Sequence, residues 1–503
     1  MKKQYAILAL ALAMPILSQA QSDEDALRYS MLGFGGTARS LGVANAFGAL
    51  GGDFSSLAMN PAGIGIYRSS EFVFTPGLTH FDNQSAFYGS ATNADKYNFN
   101  LSNLGMVFTN MKTGKANADN GWVATQFAVG YNRLENFNNR LIYTGFNDRN
   151  SLTSLYVEQL NANGGTNPGS VTGSFPFGAG LAWETYLINP NFNDSTSYYT
   201  EIQGGNIQQT KTLETSGAYD ELDFSFGGNY GNKLYVGFTL GVPIVDYNAV
   251  VTYTEEDVQN VHDNFNQMTL TDQLNVNGAG INGKFGVIYR VNDYLRLGGA
   301  VHTPTALGLT DVYRSTMTSS LDTSGSYGYD SPTGRYEYSI VTPWRAIASA
   351  AITMKQYGFI SFDYEFVDYS AAGFNFNRIG SVDDITLETA LNNTINEKYT
   401  GAHNIRVGAE LAYEVFRFRG GYAIMGTPFA SGFAEGSADF ARSTYTLGAG
   451  IRDEHFYVDL GYANTRSTEY DTQYNFSDGN GANEGATIDK TVSNFLLSLG
   501  FRF

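Results

Sequence analysis

Apolar and polar residues alternate with a period of two along much of the chain, the spacing of strands whose two faces meet different surroundings. In KFGVIYRVNDYLRLGGAVHTPT, Phe285, Val287 and Tyr289 share one face, Val291-Asn292-Asp293 makes a turn, and Leu295, Leu297 and Val301 resume the face. Arg290, Arg296, Ala300 and His302 take the other side. NIRVGAELAYEVFRFRGGYAIMGTP repeats the arrangement, with Ile405, Val407, Ala409, Leu411, Tyr413, Phe416, Phe418 and Tyr422 set against Arg406, Gly408, Glu410, Ala412, Arg417, Arg419 and Gly421. In YTLGAGIRDEHFYVDLGYA, Leu447, Ala449, Ile451, Phe456, Val458, Leu460 and Tyr462 alternate with polar positions that include Arg452 and Asp459. The chain ends the same way. In NFLLSLGFRF, Phe495, Leu497, Leu499, Phe501 and Phe503 alternate with Asn494, Ser498, Gly500 and Arg502, and Leu496 alone breaks the rule.

Alternation by itself suits two architectures. A soluble sandwich buries its apolar face, whereas a membrane barrel turns that face to lipid and encloses the charges. The ends of the chain favour the barrel. MKKQYAILALALAMPILSQA has a basic start at Lys2 and Lys3, a 13-residue apolar core over 5–17, and the small-residue cleavage site Ser18-Gln19-Ala20. These are the parts of a secretory signal over 1–20, and the core is too short to span a bilayer as a helix. The aromatic last strand, with Phe501 and Phe503, resembles the terminal assembly signal of Gram-negative outer-membrane barrels.

The expected fold is all-β, a transmembrane antiparallel barrel of about twelve to fourteen strands over 70–503. Short connections near 291–293, 414–415 and 453–455 are expected on the periplasmic side. Long polar ones, roughly 135–210, 313–335, 371–400 and 464–488, are expected outside. The first long stretch holds SLTSLYVEQLN, whose Leu152, Leu155 and Leu160 have helical spacing.

Composition agrees with the barrel. The chain has 34 Tyr, 35 Phe and 57 Gly but only 11 Pro, its mean hydropathy is −0.22, and no segment after the N-terminal one approaches eighteen apolar residues, which excludes a helical membrane protein. Cysteine is absent, so no disulfide framework exists. Without Lys2 and Lys3, 28 basic and 48 acidic side chains leave a net charge of 28 − 48 = −20, which argues against a nucleic-acid partner.

One stretch departs from the strand pattern: GFGGTARSLGVANAFGALGGDFSSLAMNPAGIG, near the N-terminus. Asp53 reads as a helix N-cap, and Asn60-Pro61 as a hard stop that lets the chain turn into a first strand near Glu71-Phe72. Ala38-Arg39, Gly42, residues 46–49 and Asn60-Pro61-Ala62-Gly63 resemble the N-terminal hatch of the FadL/TodX family of outer-membrane transporters. GVIYRVNDYLRLGGAVHTPT, IRVGAELAY, FRGGYAIMGTP and LGAGI extend the likeness to the last half of the chain, and HTPT with the long loops is similar to the Bacteroidetes-type branch often labelled hemin receptors.

The resemblance implies a fourteen-strand barrel filled by a hatch over 21–69, with Arg39, Gly42, Asn60, Pro61, Ala62 and Gly63 as its motif. It implies passive uptake of hydrophobic compounds such as long-chain fatty acids. The mature N-terminus (Leu27, Tyr29, Met31, Leu32, Phe34) would reach a buried pocket, and cargo would leave sideways through a kink in the third strand. That strand is WVATQFAVGYNRL, residues 122–134, with Gly130 as its one weak point. Val43, Phe47 and Leu50, at i, i+4, i+7, either line an apolar path or anchor the plug.

No enzyme site emerges. His80, His262, His302, His403 and His455 are scattered without metal-ligand spacing. His302 is either a lumen acid or base or, more ordinarily, a hydrogen-bonding residue at a strand end. GAGINGKF lacks the Ser or Thr of a phosphate loop and runs into a strand. No cofactor or metal is expected, and haem would be only one hydrophobic cargo among others. The inward charges Arg406, Glu410, Arg417, Arg419, Arg452 and Asp459 either pair within the lumen or line a polar conduit.

The expected partners are a hydrophobic small molecule, outer-membrane lipid and lipopolysaccharide, and the barrel assembly machinery, with the chain a monomer. Two other readings are a platform for partner proteins, as in type IX secretion barrel subunits, and, last, a barrel lipase or deacylase.

Overall fold

The computed structural model describes residues 22–33, 35–112, 121–376, 382–433, 438, 440–474, 476 and 484–503. The signal sequence expected over 1–20 and Phe34 lie outside the described residues. Fourteen antiparallel wall strands form a closed barrel. They are β1 (Glu71–Phe87), β2 (Ser90–Met111), β3 (Trp122–Asn136 with Asn139–Asn147), β4 (Ile207–Tyr230), β5 (Leu234–Glu256), β6 (Gln267–Arg290) and β7 (Leu295–His302 with Ala306–Leu321). There follow β8 (Gly334–Val341 with Arg345–Thr353), β9 (Gly358–Asp368), β10 (Gly401–Tyr413), β11 (Phe416–Met425), β12 (Arg442–Arg452), β13 (Phe456–Asp471) and β14 (Ala486–Arg502). The last strand pairs with the first, from Glu71↔Arg502 to Ala86↔Thr487, so the sheet has no free end.

Alternation sorts the side chains as the pattern predicts. Phe285, Leu297, Ile405, Val407, Leu411, Phe418, Leu447, Phe495 and Phe501 stand on the outer face, while Arg406, Glu410, Arg419, Asp459 and Ser498 are buried inside. Turns at one end are short, as at Val291, Glu414 and Asp453. At the other end the wall reaches further than the hydrophobic pattern suggested. β3 runs to Asn147, β7 to Leu321 and β13 to Asp471, and the first outer connection is only Tyr88-Gly89. The extra length is rich in Ser, Thr, Asn and Gln, which carry no apolar alternation. Backbone pairing holds it instead, as in Thr310↔Asn277 and Ser319↔Met268.

Between β3 and β4 the chain builds a lid. Helix α4 (Leu152–Asn161), the short helices Val171–Ser174 and Ala179–Glu184, and the hairpin Ile188–Asn191 with Asp194–Thr200 bury Leu160, Leu181 and Ile202 against Phe265, Met268 and Met317. Ser151 caps the first of these helices, and Glu255 of β5 accepts from the Leu152 amide at 2.9 Å.

The hatch is made of α1 (Asp23–Ser30), α2 (Ala38–Leu41), α3 (Ser56–Met59) and a 3₁₀ helix, Pro61–Ile66. The N-cap of α3 is Ser55 rather than the expected Asp53, which lies two residues earlier and accepts from the Ser55 amide at 3.1 Å and from Thr37 Oγ1 at 2.8 Å. Pro61 ends α3 but does not lead straight to β1. It starts the 3₁₀ helix, whose first turn is capped by Asn60 through the Ala62 amide at 3.1 Å. Residues 43–50 are turns rather than one helical face, with Ala44 and Asn45 both at φ 56°.

Wall glycines make room for this plug. A side chain at Gly105 or Gly130 would strike Phe54, one at Gly237 would strike Pro61, and one at Gly408 or Gly421 would strike Val43. A Cβ on Gly298 would lie 2.5 Å from the Gly48 carbonyl, and one on Gly461 2.6 Å from that of Ala38. The hatch touches the wall backbone on most sides, which larger inward residues would forbid.

Candidate functional site: a cavity above the hatch and a break in the wall

Residues 38–67 are locked to the barrel by polar contacts. Arg39 stacks over Phe47, with 5.0 Å from guanidinium to ring centre, and meets Glu410 of β10 at 3.2 Å. Glu410 in turn takes Arg419 at 2.6 Å, Arg419 takes Asp459 at 2.6 Å, and Asp459 takes Arg452 at 2.7 Å. Asn60 Nδ2 donates to the Gly48 carbonyl at 2.6 Å, Arg296 donates to that of Leu50 at 2.8 Å, and Gln126 to that of Tyr67 at 2.9 Å. His302 Nε2 lies 2.8 Å from the Met59 carbonyl, so it donates to the hatch and acts as one of its fasteners.

Two further buried charge clusters complete the lumen. Glu365 binds Arg345 at 3.1 Å and Arg406 at 3.2 Å, and Lys284 bridges Glu221 and Asp223. Each charge in these clusters has an opposite partner, whereas the buried Asp363 is held by the Gly48 amide at 2.9 Å. Arg417 does not join them. Near the short-turn end, it donates to the carbonyls of Glu414 (2.7 Å) and Phe416 (2.8 Å).

The N-terminal segment of the hatch, residues 23–33, is held differently. The Ser30 carbonyl accepts from Arg345, Asp23 takes Lys398 at 2.8 Å and the Tyr399 hydroxyl at 2.6 Å, and the Gly33 amide donates to the Leu134 carbonyl at 2.9 Å. Lys398 ends helix α7 (Val382–Lys398), which lies between β9 and β10. The segment therefore runs from an outer connection down to β3.

Beside it lies a cavity of about 610 Å³. Leu27, Met31, Phe81, Leu134 and Leu496 give it apolar walls, and Arg442, Glu135 and several asparagines give it polar ones. A smaller void of about 70 Å³, reached by Leu32, lies against His302, Glu365 and Arg406.

The cavity meets a fault in the wall. The β2–β3 ladder stops at Asn103↔Asn132, although β2 stays paired with β1 up to Phe87↔Ser90. In β3 the register slips between Arg133 and Glu135 and pairing lapses at 137–138, before the strand resumes against β4. Its upper half leans inward: Asn83 of β1, a buried residue, donates to Asn139 at 2.8 Å, and Leu141 and Tyr143 pack on Phe87 and Ile488. The break thus begins at the end of the expected segment, past Asn132. Gly130 is not its cause, for that glycine makes room for Phe54.

The remaining expected residues separate into groups. Leu27 and Met31 line the cavity, while Tyr29 is buried edge-on to Phe137 with ring centres 6.1 Å apart. Val43, Phe47 and Leu50 are buried with Ala351 and Phe359, away from the cavity. Gly42 packs on Gly448, Pro61 and Ala62 on Gly237, and Gly63 on Gly51. Phe503 exchanges two backbone hydrogen bonds with Ser70, both 3.1 Å. Pattern reading missed Thr79, Asn98, Asn100, Asn136, Arg345, Glu365 and Arg442. For Glu221 and Asp223, two carboxylates spaced i, i+2 on a strand were the available signal.

No protein-family model matches the chain, and no curated protein matches it in sequence. Solved structures do match. A Pseudomonas aeruginosa FadL homologue superposes over 94% of this chain and 100% of its own, with a TM-score of 0.55 at 12% identity. The P. putida toluene transporter TodX superposes over 94% and 99%, with a TM-score of 0.51 at 12% identity. The closed fourteen-strand wall with small N-terminal helices is the FadL/TodX fold.

Proposed function

We propose that the protein is an outer-membrane channel for passive passage of small hydrophobic compounds, with long-chain fatty acids the favoured cargo. The carrying observation is the 610 Å³ cavity, which opens beside the N-terminal segment and meets the break between β2 and β3. Apolar solutes cross a lipopolysaccharide leaflet poorly. An apolar site under the lid and a sideways exit into the bilayer would bypass that barrier, with direction set by consumption inside the cell.

An acid is favoured over a bare hydrocarbon because of Arg442. The other cavity cations have carboxylates close by: Arg28 has Asp25, Arg133 has Asp220, Lys398 has Asp23 and Lys490 has Glu469. Among the described residues Arg442 has none within ion-pair distance. A ligand carboxylate would supply one at contact distance, whereas a hydrocarbon would leave the guanidinium only the longer-range attraction of Glu135 and Glu469.

The test is a titration of the purified protein in mild detergent with a fluorescent long-chain fatty acid, repeated on an Asn60→Ala, Pro61→Ala variant. Saturable binding that the hatch change alters supports the reading, and its absence in a folded barrel refutes it. Arg442→Gln should weaken the acid about tenfold, roughly 1.4 kcal/mol, and leave a neutral hydrocarbon probe unchanged. The platform reading draws on the lid, whose apolar core is shared with β5, β6 and β7 and which exposes Tyr186 and Phe192. A protein that co-purifies on the lid while fatty acid fails to bind would favour it.

A further inference from the structure

Where the β2–β3 backbone ladder is missing, side chains cross the fault. Asn136 Nδ2 on β3 donates to Asn98 Oδ1 on β2 at 3.0 Å and to Thr79 Oγ1 on β1 at 3.3 Å. Asn100 Nδ2 also donates to Thr79 Oγ1, at 3.0 Å, and the Thr79 hydroxyl donates to Asn494 Oδ1 on β14 at 2.7 Å. Asn138 Nδ2 donates to Asn136 Oδ1 at 2.9 Å. Thr79, Asn100, Asn136 and Asn494 all line the cavity, so the inner side of this seam is where a bound molecule would meet the wall.

We propose that the Asn98–Asn136 hydrogen bond is the bar of a lateral gate and that Thr79 is the post to which it is fixed. The proposal rests on the reading in which apolar cargo leaves sideways. An intact β-ladder opens only by breaking successive backbone hydrogen bonds, each of which lipid leaves unsatisfied. This seam is crossed by side chains alone, Lys96 Nζ of β2 also donating to the Thr215 carbonyl of β4 at 2.8 Å, and when Asn98 and Asn136 part both keep a bond. Asn98 Oδ1 retains Asn100 Nδ2 at 3.3 Å, and Asn136 retains Thr79 and Asn138. Two arrangements with similar polar satisfaction are what a two-state element needs. The Gly33–Leu134 hydrogen bond ties the N-terminal segment to the strand that carries Asn136, two residues on. A ligand that displaces this segment therefore acts on the bar directly.

The chain has no cysteine, so Asn98→Cys, Asn136→Cys gives one addressable pair. It is bridged with a short thiol reagent that a reductant cleaves. Two quantities are followed, uptake of a fluorescent long-chain fatty acid into lipid vesicles holding the protein, and equilibrium binding of the same probe in detergent. The expected result is loss of uptake on bridging with binding retained, and recovery on cleavage. Asn98→Ala alone, which leaves Asn136 its other partners, should raise uptake without changing binding. Uptake that persists through the bridge, or that Asn98→Ala leaves at the wild-type rate, overturns the bar and leaves the cargo reading standing. A wild type that neither binds nor takes up the probe overturns the cargo reading, and the bar with it.

Discussion

Asp459→Asn should be among the most destabilising single-atom changes available in this barrel. The Asp459 side chain is fully buried and accepts from Arg419 Nη1 at 2.6 Å and from Arg452 Nη2 at 2.7 Å. With Arg39 and Glu410 these residues form one chain of three cations and two carboxylates, so its formal charge is 3 − 2 = +1. The amide changes the balance to +2 and turns an NH2 group toward a guanidinium. Breaking a buried pair by removing one partner costs about 3–5 kcal/mol, because the charge left behind stays out of water.

Adding Arg452→Met returns the cluster to +1 and should recover about half of that loss, since the orphaned cation is then gone. The assay is urea unfolding in detergent followed by far-ultraviolet circular dichroism, with both single variants and the double. Asp459→Asn within about 1 kcal/mol of wild type, an ordinary surface effect, would refute the argument by showing the cluster to be solvated. Additive single effects would equally deny that the two residues act as one.

Gly130→Val should push Phe54 and loosen the hatch, a cost of about 1–3 kcal/mol typical of overpacking. The readout is faster proteolysis of residues 22–69, and adding Phe54→Ala should slow it again. Deleting Phe503 should lower the yield of barrel assembled in cells while purified protein still refolds in detergent, which separates an assembly signal from the two Ser70 hydrogen bonds that the residue also makes.

How much was legible followed from which physical rule governed each part. The strand pairs around 285–302, 405–425 and 447–462 were readable because period-two burial leaves a direct trace in apolar residues. The Ser- and Asn-rich upper halves of β3, β7 and β13 left no such trace, since ladder pairing accepts almost any side chain. Residues 43–50 misled for the opposite reason. Their i, i+4, i+7 spacing was real, but Ala44 and Asn45 take left-handed φ and the three apolar residues reach one wall pocket through turns. Arg417 has the right parity for the lumen clusters and stands too near a turn to reach them.

By itself the sequence determined the alternation, hence a wall with an apolar outside and a charged inside, and the small-residue, Asn-Pro stretch that packs inside it. These are local properties, set by pleat geometry and by what proline and glycine allow. Tertiary structure alone decided which charges meet, that the wall glycines stand opposite the hatch, and that β2 and β3 part company above Asn103. Each of those depends on the shear and closure of the whole barrel, which brings residue 39 to residue 410 and residue 98 to residue 136.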